Sequence, residues 1–190
     1  MKKTNLFETN DNYQSSLEII YEDGKFIGET LNGIPNGFGK YWFTNGDYYE
    51  GNFVDGLFEG KGYLYIASDN TKYSGQFYDG EPSGIGKIIF PDLSVYEGSI
   101  DEGKPYGYGI LYEYNQYHNE FPYKLDGEWV YGKKDGIFER YIKKDNVYQL
   151  FSFDIYEEDQ FKIRMYVAAL KQKGINTKEE ALHYYLKSNI

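Results

Sequence analysis

The sequence predicts a mainly β protein made of stacked β-hairpins, with a short helical segment at its C-terminal end. Three observations predict this. Four glycines recur at a fixed spacing along most of the chain, side chains around them alternate with a period of two, and helical spacing appears only after residue 154. The 190 residues include 22 glycines and 23 tyrosines, and 20% of them are aromatic. This composition favours short strands and tight turns over long helices.

The glycine spacing defines a repeat. In the first unit, glycines lie at offsets 0, 5, 9 and 11 from Gly28. The copies begin at Gly28, Gly51, Gly75, Gly98 and Gly127. The fifth copy carries Phe138 where the last glycine of the unit is expected. Self-similarity at a fixed period of this length is typical of repeat architectures.

Each unit is predicted to form one β-hairpin. The pattern Tyr49-x-Gly51-x-Phe53 alternates with period two, as a strand with one chosen face does. Turns follow at Asn32-Gly33, Asp55-Gly56, Asp79-Gly80 and, one residue longer, Asp101-Glu102-Gly103. Asparagine, aspartate and glycine tolerate the left-handed dihedral angles of tight hairpin turns. Because a lone hairpin is marginal in water, the units must be stabilised by stacking on one another.

Residues 49–62, YEGNFVDGLFEGKG, resemble the MORN repeat (membrane occupation and recognition nexus), whose pattern is Y-x-G-x-W/F-x-x-G-x-x-x-G-x-G. The resemblance covers about residues 18–153. It implies an elongated antiparallel sheet of stacked hairpins, in a family whose members mostly act as binding or scaffolding modules. We therefore expect a flexible lead-in at 1–17, an array of about five repeats at 18–153, and a two-helix cap at 154–190.

Two departures from the pattern leave alternatives open. About six extra residues around 115–123 form either a longer hairpin loop or a contact loop that presents Tyr117, Phe121 and Tyr123. The strand after each Gly-x-Gly is apolar on both faces, as Tyr41-Trp42 illustrates, although a sheet open to water on one side should alternate. Either the termini of the chain or a partner must then cover the second face.

The tail after Asp154 changes character. Phe161, Tyr166, Val167 and Leu170 lie at roughly helical spacing before Gly174, which predicts a helix that ends there. Residues 177–180, TKEE, form a capping box that predicts the start of a second helix. The two helices are expected to cap the array by packing against the sheet. Dimerisation or docking on another protein is the alternative.

No catalytic constellation is present. The chain has no cysteine, its two histidines are far apart, and no zinc, calcium or dinucleotide motif occurs. Aspartates concentrate at turns, where they hydrogen-bond to the backbone. The sequence therefore predicts a protein that is not an enzyme and that has no cofactor, no metal site and no catalytic residues.

The net charge is −10, which argues against nucleic acid and against anionic membranes as partners, because both require a positive surface. Residues 1–150 carry all of it, since the last 40 residues contain equal numbers of cations and anions. No signal peptide or membrane span is apparent, so we expect a cytoplasmic location. The oligomeric state is left open by the sequence.

The leading hypothesis is a non-catalytic scaffold that presents an aromatic, acidic-rimmed sheet surface to a protein partner, either a basic segment or an amphipathic helix. The expected partner-binding residues are Trp42, Tyr65, Tyr112, Tyr117, Phe121 and Tyr141. The alternative is an immunity or antitoxin-like inhibitor of a basic toxin or nucleic-acid enzyme. Its motivation is the acidity of this small chain together with a resemblance to bacterial MORN-like antitoxins.

Overall fold

The computed structural model describes residues 13–188. Residues 1–12, which make up most of the predicted lead-in, lie outside the described residues. The strands are β1 (Tyr13–Ile20), β2 (Gly24–Leu31), β3 (Ile34–Phe43), β4 (Tyr48–Val54), β5 (Leu57–Ile66), β6 (Thr71–Tyr78), β7 (Glu81–Ile89), β8 (Val95–Asp101), β9 (Lys104–Asn115), β10 (Glu120–Val130), β11 (Lys133–Lys134), β12 (Gly136–Lys144), β13 (Val147–Glu157) and β14 (Gln160–Tyr166). The helices are α1 (Val167–Lys171) and α2 (Lys178–Ser188).

All 14 strands belong to one antiparallel sheet whose strand order follows the chain, with the short β11 paired to the end of β10. The predicted fold class, an antiparallel sheet of stacked hairpins with a short C-terminal helical segment, is confirmed. The extra residues around 115–123 lengthen the hairpin between β9 and β10, as one of the two readings of this insertion predicted. Among the described residues, no helix is both long enough and apolar enough to cross a membrane.

A tight two-residue turn closes the hairpin of each repeat, whereas the connections from one repeat to the next are longer. Asp55 and Gly56 have φ values of 48° and 85°, and a type I′ turn requires positive φ at both central positions. The prediction of a longer fourth turn is wrong, because Asp101 pairs with Lys104 across two residues. Glu102 there adopts a φ of 46°, in the position that Asp55 holds in its own hairpin.

The turns stack on one another through backbone hydrogen bonds. The amide of each turn glycine donates to a carbonyl of the preceding hairpin: Gly56 to Pro35 at 2.9 Å, Gly80 to Phe58 at 3.0 Å, Gly103 to Pro82 at 2.9 Å and Gly132 to Pro105 at 2.8 Å. These bonds satisfy donors that the hairpin ladders leave free, and they fix the position of each repeat against its neighbour.

The repeat glycines make room for the ring two residues before them. A Cβ atom on Gly51 would lie 2.4 Å from the Tyr49 hydroxyl oxygen, and one on Gly62 would lie 2.6 Å from the same ring. Tyr49 is fully buried, and its hydroxyl donates to the Asn52 carbonyl at 2.9 Å. Equivalent bonds run from Tyr73 to Gln76 and from Tyr96 to Ser99. The Tyr-x-Gly pattern is therefore a packing unit in which a ring lies over two glycines.

The fifth repeat builds this unit from the opposite strand. Leu125 stands where the other repeats have an aromatic residue, and Phe138 stands where they have the last glycine. The Phe138 ring covers Gly127, since a Cβ on that glycine would lie 2.6 Å from the ring. The sequence departure at Phe138 thus preserves the packing.

The two faces of the sheet differ. Successive cross-strand partners place Phe26, Tyr41, Tyr49, Leu64, Tyr73, Ile88, Tyr96, Leu111 and Leu125 in one row on a single face, the core face. The main apolar core lies on this face and is closed by rings such as Phe53 and Phe58, which fold in from the hairpin ends. Phe58 stacks on Tyr49 with ring centroids 3.7 Å apart. We call the opposite face the outer face.

The helix predicted around Phe161 and Tyr166 is wrong over most of its length. Strand β13 continues to Glu157, and β14 occupies Gln160–Tyr166. Glu158 and Asp159 both have positive φ and form a hairpin turn. Apolar and charged side chains alternate along β14, so its sequence fits a strand as well as a helix. The segment forms a strand because pairing with β13 provides hydrogen-bond partners for the backbone groups at the open edge of β13.

This last hairpin resembles a repeat in which an ionic cluster replaces the ring and glycine. Asp154 occupies the glycine position and is fully buried. Its carboxylate accepts bonds from Arg140 at 2.8 Å, from Arg164 at 2.8 and 2.9 Å, and from Ser152 at 2.9 Å. Burial raises the pKa of Asp154, but these donors outweigh it, and the net shift is downward.

The predicted start of the second helix at Thr177 and the predicted helix end at Gly174 are both found. The Thr177 hydroxyl accepts the Glu180 amide at 3.1 Å, while the Glu180 carboxylate accepts the Thr177 and Asn176 amides at 3.1 and 2.7 Å. This is the predicted capping box. Gly174, with a φ of 76°, follows the short helix α1. Leu170 and Ala181 are buried against Phe153 and Met165, which lie on the outer face of the last strands.

Candidate functional site

The outer face carries a continuous row of cross-strand neighbours rich in aromatic residues. The row runs Lys25, Trp42, Tyr48, Tyr65, Lys72, Ile89, Val95, Tyr112, Lys124 and Tyr141. We call it the outer row. Four of the six predicted partner-binding residues, Trp42, Tyr65, Tyr112 and Tyr141, are members of it. Their spacing in sequence follows the repeat, and the antiparallel register converts it into a line across the strands.

The first half of the row is an aromatic cluster on β3 to β5. Trp42 is 37% exposed, and its ring lies 5.4 Å from that of Tyr48. The Lys25 amine lies 5.3 Å from the centre of the Trp42 ring, within cation–π range. The Tyr48 hydroxyl donates to Glu50 at 2.6 Å, and the Tyr65 hydroxyl donates to Asn70 at 2.8 Å. Phenol tips are thus held by neighbouring side chains while the ring faces remain partly open.

The second half is an aromatic cluster around a cleft of about 270 Å³. Tyr112, Phe121 and Tyr148 line this cleft together with Lys87, Val95, Glu97 and Lys143. The rings of Tyr112 and Tyr148 lie 6.0 Å apart, and the Tyr148 hydroxyl donates to the Phe121 carbonyl at 2.8 Å. The long hairpin between β9 and β10 therefore brings the predicted residue Phe121 beside the row.

Lys124 lies between Tyr141 and Tyr148 in this second cluster. Its amine is 4.1 Å from the centre of the Tyr141 ring and 5.8 Å from that of Tyr148. Its side chain is 18% exposed, and Asp126 lies 4.0 Å away. A cation attracted to the ring faces in this way places one positive charge within the surface.

A second row of cross-strand neighbours runs beside the outer row on the same face, and it contains several carboxylates. Glu50 is paired with Lys40 at 3.1 Å, and Glu97 is paired with Lys87 at 2.9 Å. Further along, Asp126 accepts a hydrogen bond from Tyr108, and Glu139 accepts one from Tyr141. These four carboxylates share the flank with Lys40 and Lys87, and the outer row itself carries Lys25, Lys72 and Lys124.

The tyrosine–carboxylate contacts shift the pKa values of Tyr108, Tyr141 and Glu50. The hydrogen bond that Tyr108 donates to Asp126, together with burial, raises the pKa of Tyr108 to about 12. Burial and the Glu139 carboxylate raise the pKa of Tyr141. The bond from Tyr48, followed by that from Lys40, lowers the pKa of Glu50. The phenols therefore stay protonated and donate, and Glu50 stays charged.

The structure does not bring the predicted residue Tyr117 into the row. Tyr117 is 85% exposed at the tip of the long hairpin and lines a different cleft, with Asp92, Glu113 and Tyr123. Tyr48, Lys124 and Tyr148 were missed by the sequence analysis. Tyr48 could have been found, because it precedes the core residue Tyr49 and must therefore point to the opposite face.

The helices cover only one end of the outer face. They pack on Phe153 and Met165 of β13 and β14, beside the Tyr141 end of the row. The core face is lined mainly by rings of the repeats, with Tyr156 of β13 at one end, and the helices pack in the separate cluster on the outer face. Of the two expected covers for the second apolar face, the C-terminal segment accounts for this end alone.

Within residues 13–188, no group of three or more His, Asp or Glu side chains is placed to hold a metal ion. The outer row and its flank form a surface of rings, amines and carboxylates. The fold and this surface define a β-hairpin repeat protein. The MORN repeat model matches residues 26–48, 49–71, 73–95 and 126–137. The chain is a MORN-repeat protein.

Residues 96–125 lie between the matched segments, yet they have the same glycine spacing and the same ring over two glycines at Tyr96. A search of curated proteins finds no matching relative. MORN repeats are generally non-catalytic and serve as protein-interaction or membrane-binding modules. For this chain the repeats indicate a protein-interaction or membrane-binding module.

Proposed function

We propose that this protein is a non-catalytic scaffold whose outer row binds a protein partner. The observation that carries the proposal is the alignment of Trp42, Tyr65, Tyr112 and Tyr141 in one cross-strand row, on a face that the helices cover only at one end. Tyrosine and tryptophan provide large contact area at low entropic cost, which is why they dominate binding hot spots.

The partner is a basic segment or an amphipathic helix. Carboxylates such as Asp126 and Glu139 flank the row and complement lysines or arginines at the edge of an apolar contact. The net charge of −10 opposes nucleic acid and anionic lipid, so neither belongs to the proposal.

The experiment is an affinity capture in the native host, with mild crosslinking, using the wild-type protein and a Trp42→Ala/Tyr65→Ala variant. The matched control is Tyr131→Ala, which removes a ring that is 60% exposed at a hairpin turn and outside the row. We expect a specific protein to be captured by the wild type and the control but not by the double variant. Capture of no partner by a monomeric wild-type protein would contradict the proposal.

The charge favours a second candidate, an immunity or antitoxin-like inhibitor of a basic toxin or nucleic-acid enzyme. The same acidic flank would then meet the basic active surface of that enzyme. This candidate predicts that binding weakens steeply with salt and that expression rescues cells from a basic nuclease. A scaffold with an apolar contact would keep most of its affinity at high salt and would rescue nothing.

A further inference from the structure

A cleft of about 560 Å³ opens on the core face at the first repeat, opposite to the outer row. Its principal lining side chains are Tyr21, Asp23, Tyr41, Phe43, Phe53 and Phe58. Five of these six are aromatic, and none of the residues that line the cleft is a lysine or an arginine. The cleft is therefore an aromatic chamber with a single carboxylate.

The rings form a continuous wall. The ring centroids of Tyr21 and Tyr41 are 5.8 Å apart, those of Tyr41 and Phe43 are 4.5 Å apart, and those of Phe43 and Phe58 are 6.2 Å apart. Tyr21 is 37% exposed, whereas Phe53 is almost fully buried and lies at the base. Ring faces with this arrangement attract a cation through their quadrupoles.

Asp23 is the exposed charge of the cleft and is held in place. Its Oδ1 atom accepts the Tyr41 hydroxyl at 2.6 Å, and its carbonyl accepts the Thr44 amide at 2.8 Å. Burial and the Asp23 carboxylate raise the pKa of Tyr41, so the phenol keeps donating. Among the described residues Asp23 has no ion pair, because Lys25 points to the outer face, where it meets Trp42 and Glu18.

We propose that this cleft binds an arginine side chain of a partner polypeptide. A guanidinium is planar and weakly hydrated, so it stacks on aromatic faces and donates to a carboxylate at the same time. An ammonium is more strongly hydrated and loses more on entering an apolar chamber. The site lies on the face opposite to the outer row, so it stands whether or not that row binds a partner.

The test is a titration of the full chain with N-acetyl-arginine methylamide, followed by the NMR shifts of the Asp23, Gly24 and Gly56 amides. The citrulline and lysine analogues are the probes for charge and shape. We expect saturable shifts with the arginine compound, none with the citrulline compound and weaker binding of the lysine compound. Asp23→Asn and Tyr21→Leu should each weaken arginine binding by about fivefold or more.

Glu22→Gln is the matched control, because Glu22 is an exposed carboxylate in the same turn but does not line the cleft. It should leave binding unchanged. If Asp23→Asn fails to fold, Tyr21→Leu carries the test, since it removes an exposed ring and keeps the carboxylate. Absence of saturable shifts, equal binding of the citrulline or lysine compound, or unchanged binding by a folded Asp23→Asn or Tyr21→Leu variant would overturn the proposal.

Discussion

Exchanging a ring and a glycine between two strands tests whether the Tyr-x-Gly unit is what packs each repeat. The third repeat places the Tyr73 ring over Gly75 and Gly86, and the fifth repeat places Phe138 over Gly127 from the other strand. Tyr73→Leu combined with Gly86→Phe would convert the third repeat to the arrangement of the fifth. We expect each single substitution to destabilise the protein strongly and the pair to recover most of the loss.

The magnitudes follow from the contacts. A Cβ on Gly86 would lie 2.4 Å from the Tyr73 ring, so Gly86→Phe alone overpacks the core and should cost more than the usual range of about 1–3 kcal/mol. Tyr73→Leu alone leaves a space over two glycines and loses the bond to the Gln76 carbonyl, and should cost about 3 kcal/mol. In the double variant the phenylalanine ring fills the space, so only the hydrogen bond of about 1 kcal/mol is lost.

The assay is chemical denaturation followed by far-ultraviolet circular dichroism, analysed as a double-mutant cycle. Ser74→Ala is the control, because Ser74 lies between Tyr73 and Gly75 on the same strand but is exposed on the opposite face. Its substitution should change the free energy of unfolding by less than about 0.5 kcal/mol. If the penalties of Tyr73→Leu and Gly86→Phe simply add, the ring and the glycine do not form a unit, and the packing argument is refuted.

Three further outcomes are expected. Asp154→Ala leaves the buried Arg140 guanidinium without one partner and should lower the free energy of unfolding by about 3–5 kcal/mol in thermal or chemical denaturation. The control Glu97→Gln, in an exposed pair, should lower it by at most about 1 kcal/mol. Equal effects of the two substitutions would contradict the role of burial. Because the folded pKa of Asp154 is lowered, its contribution is present above its unfolded pKa of about 3.9 and is lost as pH falls through the folded value. Acid unfolding of Asp154→Asn should therefore lack that part of the pH dependence below about pH 4, and an unchanged acid profile would be inconsistent with it. Thr177→Ala removes the cap of α2 and should cost about 1 kcal/mol, seen as faster hydrogen exchange in α2 while the sheet amides are unaffected; unchanged exchange in α2 would contradict the capping role.

The sheet could be predicted because its information is local and repeated. A two-residue turn, a ring and the glycines beneath it recur with each hairpin, and every copy reinforces the same register. The outer row was predictable for the same reason, since Trp42, Tyr65, Tyr112 and Tyr141 all lie in the strand that follows the turn. Tyr117 was misplaced relative to the row because an insertion has no counterpart in the other repeats.

The last hairpin was not predictable from the repeat pattern. Ser152 and Asp154 replace the tyrosine and glycine, so the unit is held by charges from Arg140 and Arg164, which are distant in sequence from one another. The alternation of β14 also fits a helix nearly as well, and only the open edge of β13 decides between them. The cleft around Asp23 was missed because its side chains come from different hairpins, and the sequence of one repeat does not show how the hairpins contact one another.

Photo-crosslinking from within the outer row tests the central claim most directly. A benzoylphenylalanine introduced at Tyr65 or Tyr112, in the native host, reacts only with what touches that surface, and the same residue at Tyr131 serves as the off-row control. The proposed function predicts one specific protein adduct from both row positions and none from the control. Absence of an adduct at both row positions, or the same adduct from all three, would contradict the claim that the outer row is the binding surface.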